Sequence, residues 1–316
     1  MTALFENVII VSRKTQLDEL VHRFNTIAQA RFYLEQGGHS FADIQAAHDS
    51  HYRALEAVRH AIPKGVKSQV IDREMVPRFL FGDDDMVVTV GQDGLVSNTA
   101  KYLHGQPVFA VNPEPERYDG VLLPFVASDI ARPLAQALSG RLAHEEVTLA
   151  EARSSNNQSL LAFNDFFIGA RSHVSARYEI AVGGRRERQS SSGIIVSTGA
   201  GSTGWLQSVY AGAAGVIQAL GGRVVPPPNG GRLPWNTDRL AFSVREPFPS
   251  QITQCSIVHG LFSADEPLQL TSNMAANGVI FSDGVEEDYL EFNAGTELTI
   301  TTAAKRAKLL VPGART

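Results

Sequence analysis

Apolar residues in the first third of the chain fall into short runs, separated by longer polar stretches with helical spacing. Residues 8–11 (Val-Ile-Ile-Val), 66–71, 85–90 and 108–111 (Val-Phe-Ala-Val) read as strands, the first and third of them buried. Between the first two, residues 16–31 are polar and helix-prone. Residues 41–60 then bring Ile44, Ala47, His51, Leu55 and Val58 near one helical face. A helix is also expected from Leu95 to Leu103, directly after the third strand. Strands that alternate with helices predict a parallel sheet with helices on its faces.

The pattern changes after about Pro124. One more helix is expected over 130–142. Beyond it come short runs with glycine turns: 146–152, 160–168, 177–182, 193–197, 239–244, 256–258, 268–272, 279–282 and 297–301. This spacing predicts a β-rich second domain. A single helix over 205–220, rich in small residues, interrupts it. Residues 221–236, which include Pro226-Pro227-Pro228-Asn229-Gly230-Gly231, are the best candidate for a mobile loop.

Composition narrows the function classes. The chain has 316 residues, with 28 basic and 33 acidic side chains and a net charge of −5. That is ample for two domains, and no region is basic enough to make nucleic acid the main partner. The Arg185-Arg186-Glu187-Arg188 cluster reads as a solvated hairpin tip after Gly183-Gly184. Cys255 is the one cysteine, so disulfides within the chain and cysteine-rich metal sites are ruled out, as expected for a reducing compartment. The first residues lack the basic region of a secretory or transit peptide, and no apolar run is long enough to span a membrane. A cytoplasmic protein is the expectation.

Candidate chemistry begins at Gly91-Gln92-Asp93-Gly94, where a strand ends and a helix begins. Glycine lets a backbone approach an anion, and the first N–H groups of a helix point at it. A carboxylate in such a phosphate cradle either caps the helix or has a chemical task, and this stretch alone leaves both readings open. Residues 199–204 form G-x-G-x-x-G (Gly199, Gly201, Gly204) between an expected strand and an expected helix. No acidic residue follows until Asp238, too far for the ribose contact of a Rossmann unit. A nucleotide contact by this turn stays open. The serine-rich stretch before it has no G-x-S-x-G elbow, and the chain has no G-x-x-x-x-G-K-[ST] loop. His48 and His51 read as a helix surface before they read as a metal pair. His259 is expected in the core, and Trp235 is expected to anchor the proline-rich loop.

Four stretches line up in order: Gly91–Gly94, then Asn112-Pro113-Glu114-Pro115-Glu116-Arg117, then Asn164-Asp165-Phe166-Phe167-Ile168-Gly169, then Ser197–Trp205. This order resembles the NAD kinases, with their G-G-D-G loop, Asn-Glu pair and S-T-x-x-G-S-T-A-Y segment. The likeness is greatest to the mitochondrial-type branch and its bacterial relatives. It extends to "EPER" at 114–117, "NDFFIG" at 164–169, "SSG" at 191–193, "FSVREP" at 242–247, "SRKT" near the start and "SDG" at 282–284, and so covers nearly the whole chain.

The resemblance implies a reaction and a fold. The γ-phosphoryl of ATP, with Mg²⁺ held mainly by the nucleotide phosphates, passes to the 2′-hydroxyl of the adenosine ribose of NAD or NADH. It implies an α/β domain over about 1–125 and a β-rich domain over 126–294, with the active site in the cleft between them. The segment after about 295 returns to the first domain, and the protein is a homo-oligomer, at least a dimer. Asp93 would be the general base, and Gly91, Gln92 and Gly94 would shape the phosphate loop. Asn164 and Asp165 would hold the acceptor nucleotide, and Ser202, Thr203, Gly204 and Trp205 would line its pocket.

The chain departs from the family pattern at five points. Gln92 replaces a loop glycine, Leu95 a threonine and Asp165 a glutamate. Ala200 replaces a residue that is polar in many members, and Ser192 the aspartate of most bacterial members. Two alternatives therefore stand beside the NAD kinase reading: a lipid or sugar kinase of the same superfamily, and a nucleotide-binding protein that has lost transfer.

Overall fold

The computed structural model describes residues 4–314. The chain forms two compact units. One takes the residues up to Glu145 and those from Lys308 onward; the other is Glu146–Ala307.

The first unit is built on a parallel sheet. Its elements are β1 (Asn7–Ser12), α1 (Gln16–Phe24), α2 (Ile27–Gln36), α3 (Phe41–Ala61), β2 (Lys67–Asp72), β3 (Asp85–Val90), α4 (Asp93–Ala100), β4 (Pro107–Asn112), β5 (Phe125–Val126) and α5 (Ala131–Leu138). The strand order is β2-β1-β3-β4, all parallel. Strands β1, β3 and β4 are buried nearly throughout, and Val8, Ile10, Met86, Val88, Phe109 and Val111 form a core with Ala54, Leu55 and Val58 of α3 and Leu134 of α5. Alternating strand and helix patterns thus give the layered α/β architecture expected of them.

The helix-prone stretch over 16–31 forms two helices, α1 and the start of α2. Asn25 turns the chain into the left-handed region (φ 64°), and the Thr26 side chain accepts from Gln29 N–H to start α2. The change of texture at Pro124 and the division of the units at Glu145/Glu146 are different places, because α5 packs into the first core.

The second unit contains most of β6 (Leu142–Ser154), then β7 (Ser159–Ala162), β8 (Asp165–Ala170), β9 (Ala176–Val182), β10 (Arg185–Ser191), β11 (Ile194–Ser197), α6 (Trp205–Ala219), β12 (Arg239–Val244), β13 (His259–Ser263), β14 (Leu268–Ser272), β15 (Gly278–Ser282) and β16 (Val285–Glu291). Strand β17 (Glu297–Ala314) contributes its first part. One antiparallel sheet has the order β13-β12-β11-β8-β15-β16. The other runs β10-β9-β14-β17, with β6 paired to β17 and to β7. Inward residues of both, such as Phe166, Ile168, Val196 and Phe242 from one and Tyr178, Ile180, Leu270 and Ile300 from the other, share one core.

Several local expectations need correction. The run expected as one strand over 160–168 is broken at Phe163-Asn164. Residues 185–188 open β10 just after the Gly183-Gly184 turn, and their three arginines are exposed as expected of a solvated hairpin tip, but Glu187 is not. Glu187 there is buried, and its carboxylate accepts from Ser256 N–H, Ile257 N–H, Ser256 Oγ and Gln189 Nε2. The same carboxylate takes two of the N–H groups of 256–258, so that segment is no strand and the ladder starts at His259. His259 is exposed rather than in the core. Strand β17 is much longer than 297–301. Residues 297–300 pair with β14, while Lys308 and Leu309 pair in parallel with Pro107 and Val108 of β4.

Candidate functional site

In the first unit the Gly91–Gly94 turn leaves β3 at the carboxyl end of the parallel sheet, the edge where open α/β sheets hold their ligands. Gln92 is the N-cap position of α4 and makes no side-chain cap bond, and Asp93 is the first helical residue. The capping reading of Asp93 therefore does not describe it. Its Oδ1 instead accepts from Leu122 N–H at 2.6 Å. The segment that brings Leu122 there is organised by Asn112 at the end of β4. Asn112 Oδ1 accepts from Glu114 N–H, and its Nδ2 donates to Tyr118 O at 3.1 Å. Gly120, at φ +61°, then turns the chain back, and a Cβ on it would lie 2.6 Å from Asn112 Nδ2. The "EPER" stretch is the outer part of this turn, with Arg117 3.5 Å from Glu114.

The loop glycines differ in purpose. A Cβ on Gly91 would lie 2.8 Å from Leu95 Cδ2, whereas Gly94 faces open space and neither has a positive φ. Gln92 sits at φ −91°, ψ 168°, extended backbone open to any residue. Its departure from glycine costs the loop no strain.

In the second unit the Asn164-Asp165 pair is fixed by a residue of the "SDG" stretch at 282–284. Asp283, at φ +53° in the Asp-Gly turn between β15 and β16, accepts from the N–H groups of Phe163, Asn164 and Asp165. Its own N–H donates to Asp165 O. The Asp-Gly signal between two strands was legible as a tight turn; its grip on a segment 120 residues earlier was not. Thr198 holds the pair from the other side, its N–H on Asn164 O and its Oγ1 on Phe163 O. The backbone of Asn164 is thus satisfied, while among the described residues its half-buried side-chain amide has no hydrogen-bond partner.

Asp165 is enclosed more tightly. Burial, with a further push from the charge of Asp283, raises its carboxyl to about 7, despite a lowering hydrogen bond from Ser197. Among the described residues its Oδ1 is buried with no hydrogen-bond partner.

The turn at 198–204 passes through a narrow space. A Cβ on Gly199 would lie 2.0 Å from Pro234 O, and one on Gly201 would lie 2.1 Å from Asn164 O. Both positions exclude any side chain. Ser202 is fully buried, its Oγ donating to Gly199 O and accepting from Leu233 N–H, so it braces the loop. Thr203 and Gly204 are exposed. Trp205 opens α6 and lies parallel to Phe167, with ring centres 6.2 Å apart, and the Arg245 guanidinium sits 5.7 Å from the Trp205 ring. These three line a cavity of about 410 Å³ together with Phe281, Tyr289 and Ser192. Arg245 belongs to the "FSVREP" stretch, and its N–H bonds Gly193 O. Of the predicted acceptor residues only Trp205 lines this cavity.

His51 is buried, with Nε2 2.9 Å from Ser12 Oγ, and His48 Nδ1 is 2.7 Å from Thr15 Oγ1. They are structural partners rather than a helix surface. Trp235 anchors its loop through the backbone, Trp235 O accepting from Thr148 N–H. Among the described residues no helix is long and apolar enough to cross a membrane.

No known family model and no curated protein sequence matches this chain. Among solved structures, yeast NADH kinase complexed with NADH is similar at a TM-score of 0.61 and 14% identity, covering 99% of this chain and 85% of that one. An NAD kinase from Archaeoglobus fulgidus in complex with ATP is similar at a TM-score of 0.56 and 17% identity, covering 96% of this chain and 92% of that one. At these identities the likeness is one of fold: both structures span nearly the whole of this chain, the α/β parallel-sheet unit and the β-rich unit alike.

Proposed function

We propose that this chain is an NAD kinase, which transfers the γ-phosphoryl of ATP to the 2′-hydroxyl of the adenosine ribose of NAD or NADH, with Asp93 as general base. The observation that carries this reading is the state of Asp93. It stands in a glycine turn at the ligand edge of a parallel sheet, does not cap its helix, and has Oδ1 tethered to Leu122 N–H. That tether orients the carboxylate and leaves Oδ2 for a ligand. A sugar hydroxyl is a poor nucleophile unless a base takes its proton as the new bond forms. The rest of phosphoryl transfer is positioning and charge stabilisation, which the Gly91, Gln92 and Gly94 backbone is suited to supply.

In the second unit the unengaged Asn164 amide is suited to hydrogen-bond the acceptor nucleotide. Asp165 and Ser202 support the surrounding loops, and Thr203, Gly204 and Trp205 offer exposed surface to the ligand. Among the described residues no three His, Cys, Asp or Glu side chains converge on one point. In this reading Mg²⁺ arrives with the donor phosphates, where it would neutralise their charge. We also read the protein as at least a dimer through the second unit, where α6 and the residue after it leave Val216, Ile217 and Leu220 exposed.

Purified protein with ATP, Mg²⁺ and NAD, read through an NADP-specific dehydrogenase, tests the activity. Steady NADP formation is expected. Its absence with both NAD and NADH, at protein concentrations where light scattering finds the oligomer, would overturn the proposal.

A further inference from the structure

The "SRKT" stretch, residues 12–15, has no part in the reading above, yet its ends are firmly held. Ser12 closes β1 and bonds His51. Thr15 is the N-cap of α1 in a capping box with Asp18, and it also bonds His48. Two cations are pinned between them. Lys14 is exposed and lies 4.0 Å from Glu74. Arg13 is half-buried, and among the described residues its guanidinium has neither an ion pair nor a hydrogen bond. A guanidinium is a rigid fork of donors matched to phosphate or carboxylate oxygens, and a partly desolvated one normally has an anion to face.

The register says what lies beside it. β1 pairs in parallel with β3, Val11 opposite Thr89. Both strands end within a residue of that pair, β1 at Ser12 and β3 at Val90, so Arg13 and Gly91 are the first residues past two neighbouring strands at the same edge of the sheet. Arg13 and the Gly91–Gly94 turn therefore share one edge of the first unit. The turn holds a carboxylate of its own, Asp93, so a polyanion there needs a countercharge. Arg13 also acts on its surroundings as an unneutralised cation. After burial, its charge is the next cause that depresses the His51 imidazole.

We propose that Arg13 binds the phosphate chain of the phosphoryl donor beside the Gly91–Gly94 turn. The inference rests on the kinase reading. The tethers at Ser12 and Thr15 hold the segment in place before the donor arrives, which lowers the ordering cost of binding.

The test titrates Mg·ATP, inorganic tripolyphosphate and NAD into the full chain and into Arg13→Ala, Arg13→Lys and Lys64→Ala, with melting temperatures and the KM for ATP and for NAD measured on the same preparations. Lys64 precedes β2 at the opposite edge of the sheet and controls for loss of one charge. Arg13→Ala is expected to weaken Mg·ATP and tripolyphosphate binding by about tenfold or more and to raise the KM for ATP. NAD affinity and melting temperature should stay unchanged. Arg13→Lys should restore part of the loss, and Lys64→Ala should match the parent.

Parental phosphate affinity in Arg13→Ala would overturn the proposal. So would an equal loss of NAD affinity and melting temperature, which marks a structural role, or lost ATP binding in a protein that never bound tripolyphosphate, which moves the contact to the nucleoside. The two readings fail separately. Tripolyphosphate binding that depends on Arg13 in a protein making no NADP keeps this site and removes the kinase. NADP formation with an unchanged KM for ATP in Arg13→Ala does the reverse.

Discussion

Replacing Asp165 by asparagine should flatten the dependence of stability on pH. The carboxyl of Asp165 is raised from 3.8 to about 7, first by burial, then by the charge of Asp283, against the Ser197 hydrogen bond. Between those two values the folded chain holds a proton that the unfolded chain has released. Stability must then fall as pH rises, by about 1.4 kcal/mol per pH unit. The penalty is absent below the unfolded value and complete above about 7. From pH 5 to pH 8 this one group should remove roughly 2.5 kcal/mol. Asparagine has the same shape and no proton to lose, so Asp165→Asn should escape that decline. Urea denaturation of both proteins at pH 5 and pH 8 measures it, because every other titrating group cancels in the difference between them. The variant should gain on the parent by roughly 2.5 kcal/mol between the two pH values. A stability difference that stays the same, within about 0.5 kcal/mol, would mean that Asp165 is ionised in the folded chain near its ordinary value and that water reaches its carboxylate.

Three further outcomes follow from the same geometry. Asp93→Asn keeps the acceptor oxygen for Leu122 N–H and removes the base, so turnover should fall by about 10²–10⁴-fold with little change in melting temperature or NAD affinity; near-parental NADP formation would remove Asp93 from catalysis. Gly201→Ala must drive a methyl group to 2.1 Å from Asn164 O, so the backbone has to shift, and denaturation should find a loss of about 1–3 kcal/mol or more. Gln92→Gly relieves no strain at φ −91°, so it should cost about 0.4–1 kcal/mol through the unfolded chain without a gain in turnover; a tenfold gain would mean that the Gln92 side chain obstructs the donor.

The parts of the fold legible in the sequence were those whose burial is apolar. Strand β3 is buried at every position and was read at its true ends, as were β12 and β14. Strand β10 was missed because its inward residues are Glu187, Gln189 and Ser191, a polar set that bonds within the core and leaves no apolar alternation to see. Strand β16 was missed for a related reason: it pairs only with β15, and the acidic residues of an edge strand mask its period. Thr26 and Gln29, three apart after an asparagine, carried a capping signal that would have split α1 from α2.

At the candidate site, ordered motifs pointed to Asp93, Asn164 and Trp205 as candidates, because each lies next to its own signature residues. Asp283 and Leu122 were out of reach. One acts through a contact between segments far apart in sequence, and the other through a backbone N–H that any residue could supply.

The path of β17 also bears on how the chain is made. Residues 146–307 lie within a first unit whose sheet takes Lys308 and Leu309 beside β4. On a ribosome, β1 to β4 emerge early, but the place beside Pro107 and Val108 stays open until about 200 more residues have been synthesised, a separation at which sheet pairing is slow. The inserted unit has its strands up to β16 in hand before then. Synthesis therefore favours completion of the unit that begins second, with the open edge of β4 as the surface that a chaperone, or a second nascent chain, would meet first.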